Sequence, residues 1–269
     1  MLVRTWNLFH GNTVPPRRAA RLEEAVGLAS ADRPDVLCLQ EVPLWALDRL
    51  AAWSGLAAFG EPAARASVGP FPATPSLGRA LTRLHHGLFR SAFAGQANAI
   101  LVRPEHRPEA AGCIVLNPRR FRRAQAHWLA LSPVARLAWA GERRVCHAVR
   151  LALPDGRTAL VANLHATAYR PDARLADAEL LRAAVFADTV ARPDEVCVLA
   201  GDFNARTATS WTLRELAKPD WGFRGGGRGI DHVLARGADV GPVTTWPAAR
   251  RRRNGLLLSD HAPVEAVVG

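Results

Sequence analysis

Lysine is almost missing from this chain: Lys218 is the only one among 35 basic residues, and arginine supplies the rest. Cysteine is scarce as well, and its four copies form no C-x-x-C pair, which argues against a zinc knuckle. Cys38 and Cys197 lie inside apolar runs, where a free thiol behaves as a small buried hydrophobe. Nothing in the spacing calls for a disulfide, so the expected setting is reduced and cytoplasmic. No apolar stretch approaches the ~18 residues of a transmembrane segment. The first residues, Met1-Leu2-Val3-Arg4-Thr5-Trp6-Asn7, lack the basic start and long apolar core of a signal peptide and read as a strand. Acids are outnumbered, leaving a net charge of +11 and a pI near 11.1. That balance suits polyanions such as nucleic acid or phosphorylated surfaces, although a uniform arginine bias in composition gives the same total. With 49% hydrophobic residues, a single domain over 1–269 has ample material for a core.

What the chain does have is a series of apolar runs that end in polar residues. The clearest is Val196-Cys197-Val198-Leu199-Ala200-Gly201-Asp202-Phe203-Asn204-Ala205. A continuous apolar run of this length suits a strand buried on both faces. Asp202 and Asn204 are two residues apart and share a side of an extended chain. Oxygen-bearing side chains placed so suit a hard divalent cation or a phosphate site. A strand followed by an Asx-type turn has the same local pattern.

Taken in order, residues 2–8 read as a strand carrying Asn7. Residues 17–31 read as an amphipathic helix on Ala20, Leu22, Ala25, Val26 and Ala29. Val36–Val42 reads as a buried strand that carries Glu41. A short helix is expected over 45–55 and a long surface loop over 61–82, which is rich in Pro, Gly and Ala. Strands are expected at 96–102, 113–116, 145–153 and 158–165, with a helix over 174–190. A glycine-rich loop at 222–229 precedes a strand at 230–234. The last stretch, 256–268, reads as a strand into Ser259-Asp260-His261 and an alternating strand after it. One repeat is visible: a helix, then Arg33-Pro34-Asp35-Val36-Leu37-Cys38-Leu39 and Glu41. It matches a helix, then Arg192-Pro193-Asp194-Glu195-Val196-Cys197-Val198-Leu199 and Asp202. Two related halves are expected, each delivering an acid at a strand end.

Six strands thus end in polar tips: Asn7, Glu41, His165, Asp202 with Asn204, Asp231, and Asp260 with His261. Singly they mean little, since a lone histidine is commonly structural and a lone aspartate a turn or cap residue. As a set of carboxylates, amides and two histidines without cysteine, they suit Mg²⁺ or Mn²⁺ rather than zinc.

The tips resemble the endonuclease/exonuclease/phosphatase superfamily of deoxyribonuclease I-like and exonuclease III-like phosphoesterases. The resemblance rests on Thr5-Trp6-Asn7, Leu39-Gln40-Glu41-Val42, Asn98-Ala99-Ile100-Leu101, Asn163-Leu164-His165, Gly201-Asp202-Phe203-Asn204-Ala205, Ile230-Asp231-His232-Val233 and Ser259-Asp260-His261. They occur in the family's order, almost end to end. The resemblance implies an α/β fold, a four-layer α-β-β-α sandwich of two mixed sheets with pseudo-twofold related halves. It also implies Glu41 as main metal ligand, with Asn7 and Asp260 beside it. Asp202 and Asn204 would hold the attacking water and the phosphate, Asp202 also serving a second metal. His261, oriented by Asp231, would be base or phosphate-binding group, and His165 would donate to a phosphate oxygen. The implied chemistry is in-line attack of water on phosphorus.

Two departures stand out. Ala94 and Gln96 lie where family nucleases often have a tyrosine or glutamate supporting the histidine, and Pro43 lies where deoxyribonuclease I-like members have an arginine. The substrate reading is a nucleic acid, favoured by basicity and by the arginines at 119, 120, 122, 123 and 250–253, which read equally well as solvated loops. A phosphatase or phosphodiesterase of small or lipid phosphoesters is the alternative; a catalytically dead binding member is disfavoured because no acid or histidine of the set is missing. No obligate protein partner is evident.

Overall fold

The computed structural model describes residues 1–17, 19–68, 71–74, 76–77, 79–80 and 94–269. One mixed sheet contains β1 (Leu2–Asn7), β2 (Val36–Val42), β3 (Ala57–Ala64), β6 (Gln96–Val102), β13 (Thr244–Thr245) and β16 (Val264–Val267), in the order β13-β16-β1-β2-β6-β3. The other contains β7 (Glu109–Val115), β8 (Val145–Ala152), β9 (Thr158–His165), β10 (Val196–Asp202), β11 (Arg224–Gly226) and β12 (Asp231–Arg236), in the order β11-β12-β10-β9-β8-β7. Two small hairpins stand apart, β4 (Ser67–Val68) with β5 (Phe71–Pro72), and β14 (Arg252–Arg253) with β15 (Leu256–Leu257).

Traced from opposite ends, the two sheets share one pattern of strand directions. A parallel pair, β1 with β2 and β9 with β10, is flanked on both sides by antiparallel neighbours. The helix Leu22–Ser30 leads into β2, and the helix Arg174–Val190 leads into β10. The repeated helix–strand unit of the sequence therefore occupies the same place in both halves.

Four layers follow from where the apolar side chains go. Val3, Val36, Cys38 and Ile100 of one sheet meet Val149, Val161, Val198 and Val233 of the other between the sheets. On the outer face of the first sheet, Trp6, Leu37, Leu39 and Leu101 pack against Leu22, Ala25, Val26 and Ala29. On the outer face of the second, Leu160, Leu164 and Leu199 pack against Ala176, Leu180, Ala183 and Ala187. The central strands are covered on both faces, which is why they read as unbroken apolar runs. Each Val or Leu so buried contributes roughly 1.5–3 kcal/mol. Polar residues stitch the sheets together beneath one edge: Gln40 donates to Thr5 Oγ1 (3.0 Å) and Asn163 Oδ1 (2.8 Å), and Asn163 donates to the carbonyls of Leu39 and Ala99.

At that edge the parallel strands end together. Register sets Asn7 beside Gln40 and Asp202 beside His165, and the antiparallel neighbour sets Asp231 beside Asp202. The N- and C-terminal strands β1 and β16 pair at the opposite side of β1 from β2, and the amino group of Met1 donates to Val268 O at 2.6 Å.

Several boundaries differ from the sequence reading. The helix expected over 17–31 begins only at Leu22, because Arg21 N donates to Gly11 O (2.8 Å) and holds the preceding chain to a turn. The first part of the expected loop over 61–82 is strand: β3 runs through Ala64 as an edge strand, where Pro62 costs no internal ladder bond. Residues 69–70, 75, 78 and 81–82 of that expectation lie outside the described residues. The glycine-rich segment 222–229 contains β11, and Asp231 opens β12 instead of ending it, since β12 runs antiparallel to β10. Three α-helices, Arg119–Trp128, Pro133–Gly141 and Trp211–Leu216, escaped the reading altogether. The first carries Arg119, Arg120, Arg122 and Arg123 in its opening turns and has no acid there. Cations at a helix N-terminus oppose its dipole, so nothing in that charge pattern announces a helix. No described helix is long and apolar enough to cross a membrane.

Candidate active site

The strand ends converge on Asn7. Its amide donates to Glu41 Oε1 at 3.1 Å and to Asp202 Oδ2 at 3.0 Å, while its oxygen accepts from Phe9 N at 2.9 Å. Glu41 leaves β2 at a register shift, with a left-handed φ of 53° that turns its carboxylate to the edge. Asp202 is delivered at a point of close backbone approach. A methyl group on Gly201, whose φ is 145°, would run into the carbonyl oxygen of Leu164, so the residue before the aspartate has no room for a side chain.

The loop carrying Asp260 and His261 is pinned to β1. Ser259 Oγ donates to Asn7 O (2.8 Å), Trp6 Nε1 donates to His261 O (3.0 Å), and Arg251 donates to the carbonyls of Ser259 (2.7 Å) and His261 (3.1 Å). His261 Nδ1 lies 2.9 Å from Asp231 Oδ2, and its Nε2 lies 3.8 Å from Asp202 Oδ2. His165 is buried, with Nε2 at 3.6 Å from Asp202 and 3.9 Å from Glu41. Asn204, at a left-handed φ of 48°, sends its backbone N–H to Asp202 Oδ1 (3.1 Å) and its amide to Ala166 O (2.9 Å). It braces the turn after His165 as well as the aspartate. The cluster reaches solvent through Glu41, Asp260 and His261.

Burial and the neighbouring charge of Asp231 raise the Asp202 carboxyl to about 7, against the pull of His261 and the Asn7 hydrogen bond. Burial opposes charge on His261, but the hydrogen bond and charge of Asp231, with Asp202 and Asp260, lift it to about 10. His165 goes the other way: burial and the adjacent Arg144 guanidinium hold it well below the ordinary histidine value. Asp260 is held above its ordinary value by lost hydration and by the charge of Glu41.

The site therefore gathers Asn7, Glu41, His165, Asp202, Asp231 and His261 directly. Asp260 sits beside them, contacting Ser259 Oγ at 3.4 Å, and Asn204 supports them from behind. Two residues were missed by sequence reasoning. Arg144 Nη1 lies 3.0 and 3.2 Å from the His165 ring nitrogens and pairs with Glu142. His10 Nε2 lies 3.3 Å from Glu41 Oε2; a single histidine in the turn after β1 gave no signal in the sequence. Glu179, fully buried on the helix Arg174–Val190, accepts from Trp139 Nε1 (2.6 Å), Thr167 N (2.6 Å) and Thr167 Oγ1 (2.7 Å) and anchors the loop after His165.

The donor set fits a divalent cation. Asp202 and Asp260 both hold protons above their ordinary range, so the carboxylates around Glu41 are short of positive charge. Oxygen donors of this kind suit a hard divalent cation. Ligand atoms of Asp202, Asp231 and His261 lie within 4.8 Å of one another. Asp231 and His261 neutralise each other, which leaves Asp202, with Glu41 and Asp260, to face an ion.

The sequence model of the Endonuclease/Exonuclease/phosphatase family matches residues 5–261. No curated protein matches significantly. Among solved structures, a conserved protein of unknown function from Enterococcus faecalis V583 superposes with a TM-score of 0.66 at 18% identity, covering 100% of this chain and 99% of that one. Mannosyl-6-phosphatase from Bacteroides thetaiotaomicron gives 0.63 at 15% identity, covering 100% and 99%. The human Nocturnin catalytic domain with bound sulfate gives 0.61 at 17% identity, covering 100% and 93%.

Proposed function

Since the chain belongs to the endonuclease/exonuclease/phosphatase family, a family of divalent-metal-dependent phosphoesterases, we propose that it is a Mg²⁺- or Mn²⁺-dependent phosphodiesterase acting on nucleic acid. The observation that carries this reading is the convergence of the strand ends: Asn7 bridges Glu41 and Asp202 (3.1 and 3.0 Å), and His261, bound to Asp231, brings its Nε2 to 3.8 Å from Asp202 Oδ2. Asp202 is placed to orient an attacking water beside His261. His261, held by Asp231 through Nδ1, directs its Nε2–H towards a phosphoryl oxygen and stays cationic while charge builds there. Neutral His165, with Arg144 against its ring, donates to a second oxygen. Asn7 aligns Glu41 and Asp202, and turned over the same amide would offer its oxygen to an ion. Glu41, Asp202 and Asp260 would hold the divalent ion, which supplies neutralisation of the charge developing on the phosphoryl group.

Nucleic acid is favoured over smaller esters by charge placement. Arg119, Arg120 and Arg123 make no ion pair with any described residue. They stand on the helix that follows β7, and β7 pairs with the start of β8, where Arg144 meets His165. The test is a substrate panel of plasmid, abasic duplex, RNA, a bis-aryl phosphodiester and an aryl monoester. Diesters should be cleaved, chelation should abolish cleavage, and added Mg²⁺ or Mn²⁺ should restore it. Turnover of the monoester alone would make the protein a phosphatase, and activity persisting in EDTA would remove the metal.

A further inference from the structure

Immediately after β1 the chain makes a turn in which two successive non-glycine residues, Phe9 and His10, adopt left-handed φ values of 50° and 53°. Such positions cost on the order of 1 kcal/mol or more each and persist only where the surroundings enforce them. Here Phe9 N donates to Asn7 Oδ1 (2.9 Å), Gly11 N to Leu8 O (2.8 Å) and Asn12 N to Phe9 O (2.9 Å). The turn folds the His10 imidazole back across the end of β1 onto β2. Its Nε2 comes 3.3 Å from Glu41 Oε2, with the two side chains 6% and 19% exposed. The other carboxylate oxygen of Glu41 already accepts from Asn7.

A separation of 3.3 Å is longer than an N–H···O hydrogen bond normally settles at. It is close to the ~3 Å between adjacent ligands that each sit ~2.1 Å from a six-coordinate ion. The other two imidazoles of the site have charged partners of their own. His165 has the Arg144 guanidinium against its ring, and His261 is bound to Asp231. We propose that His10 Nε2 and Glu41 Oε2 are neighbouring ligands of one divalent ion, so that the seat has a mixed nitrogen–oxygen donor set and prefers a first-row ion such as Mn²⁺ to Mg²⁺. Imidazole suits first-row transition ions, whereas Mg²⁺ prefers oxygen and keeps its waters. The inference rests on the metal-dependent reading above and adds to it an ion preference and a ligand.

The experiment is pulsed electron paramagnetic resonance on the protein loaded with Mn²⁺, alongside calorimetric titration with Mn²⁺ and with Mg²⁺. Wild type should show ¹⁴N modulation from a directly bound imidazole, and ¹⁵N-histidine labelling should replace it, a check that needs no variant. His10→Gln, confirmed folded by circular dichroism, should lose the modulation, and its Mn²⁺-over-Mg²⁺ preference should fall by about tenfold or more. Mn²⁺ bound without ¹⁴N modulation would reduce His10 to an outer support of Glu41 and overturn this proposal alone. Modulation that survives His10→Gln and disappears in His165→Gln would overturn it as well. Failure of either ion to bind would overturn both this proposal and the metal-dependent reading.

Discussion

Asp231 decides the charge of His261, and a pH profile reads that directly. With Asp231 in place His261 stays protonated up to about 10, from an ordinary value of 6.5. Activity that needs the imidazolium is therefore present below that point and declines as pH rises through it. In Asp231→Asn the falling limb of kcat should move down by several pH units towards the ordinary histidine value, which a pH–rate profile on a bis-aryl phosphodiester will show. Because the two residues act as a unit, Asp231→Ala and His261→Ala should each lose ~10²–10⁴-fold in kcat, and the double variant little more. Asp202 works in the opposite sense. Without an ion it keeps its proton to about 7, so metal affinity should climb with pH through that value and binding should release a proton. Calorimetry in buffers of different ionisation enthalpy measures that release; heats independent of buffer would show Asp202 already ionised. At this scale the sequence was most legible, because Asn7, Glu41, His165, Asp202, Asp231 and His261 each end or begin a buried run. His10 and Arg144 were not, since a histidine in a turn and an arginine among many carry no pattern of their own.

Among the elements, β10 has no room for a side chain at Gly201. Gly201→Ala would drive a methyl into the Leu164 carbonyl across the β9–β10 pair. It should destabilise the protein by roughly 2–4 kcal/mol in urea unfolding, and any folded fraction should have Asp202 displaced and activity lost. The arginines at 250–253 also divide by element. Arg250 pairs with Asp32 and Glu265 and stacks 3.5 Å over Trp246, and Arg251 holds the carbonyls of Ser259 and His261. Arg251→Ser should therefore lower kcat even on a small diester, while Arg252→Ser and Arg253→Ser on the β14–β15 hairpin should not. Strands covered on both faces were readable from their apolar runs. The edge strand β3 was not, because Pro62 and its small residues satisfy an edge without an inward hydrophobic pattern, and the helix Arg119–Trp128 was hidden by arginines where helices usually place acids.

At the scale of the whole molecule, the excess charge predicts a salt-dependent encounter with a polyanion. Replacing Arg119, Arg120 and Arg123 with serine should flatten the log K against log salt slope for duplex DNA by roughly 0.9 for each phosphate that is no longer neutralised. Hydrolysis of the bis-aryl diester should be untouched, and an unchanged slope would show that this helix meets only solvent. The two related halves were legible in the repeated helix–strand unit and the two-sheet sandwich in the family resemblance, but the pairing of the first and last strands could not be read from either alone. That pairing sets an order of assembly. β1 is made first yet waits for β16, more than 250 residues later, before its second neighbour arrives, and Asp260 and His261 come in just ahead of that strand. Closing so long a loop is slow. During synthesis the second sheet, whose strands span residues 109–236, has all its chain available before the first can close. A ribosome carrying this nascent chain, itself surrounded by RNA, would thus hold a hydrolase whose cleft stays unfinished until the strand after His261 has emerged.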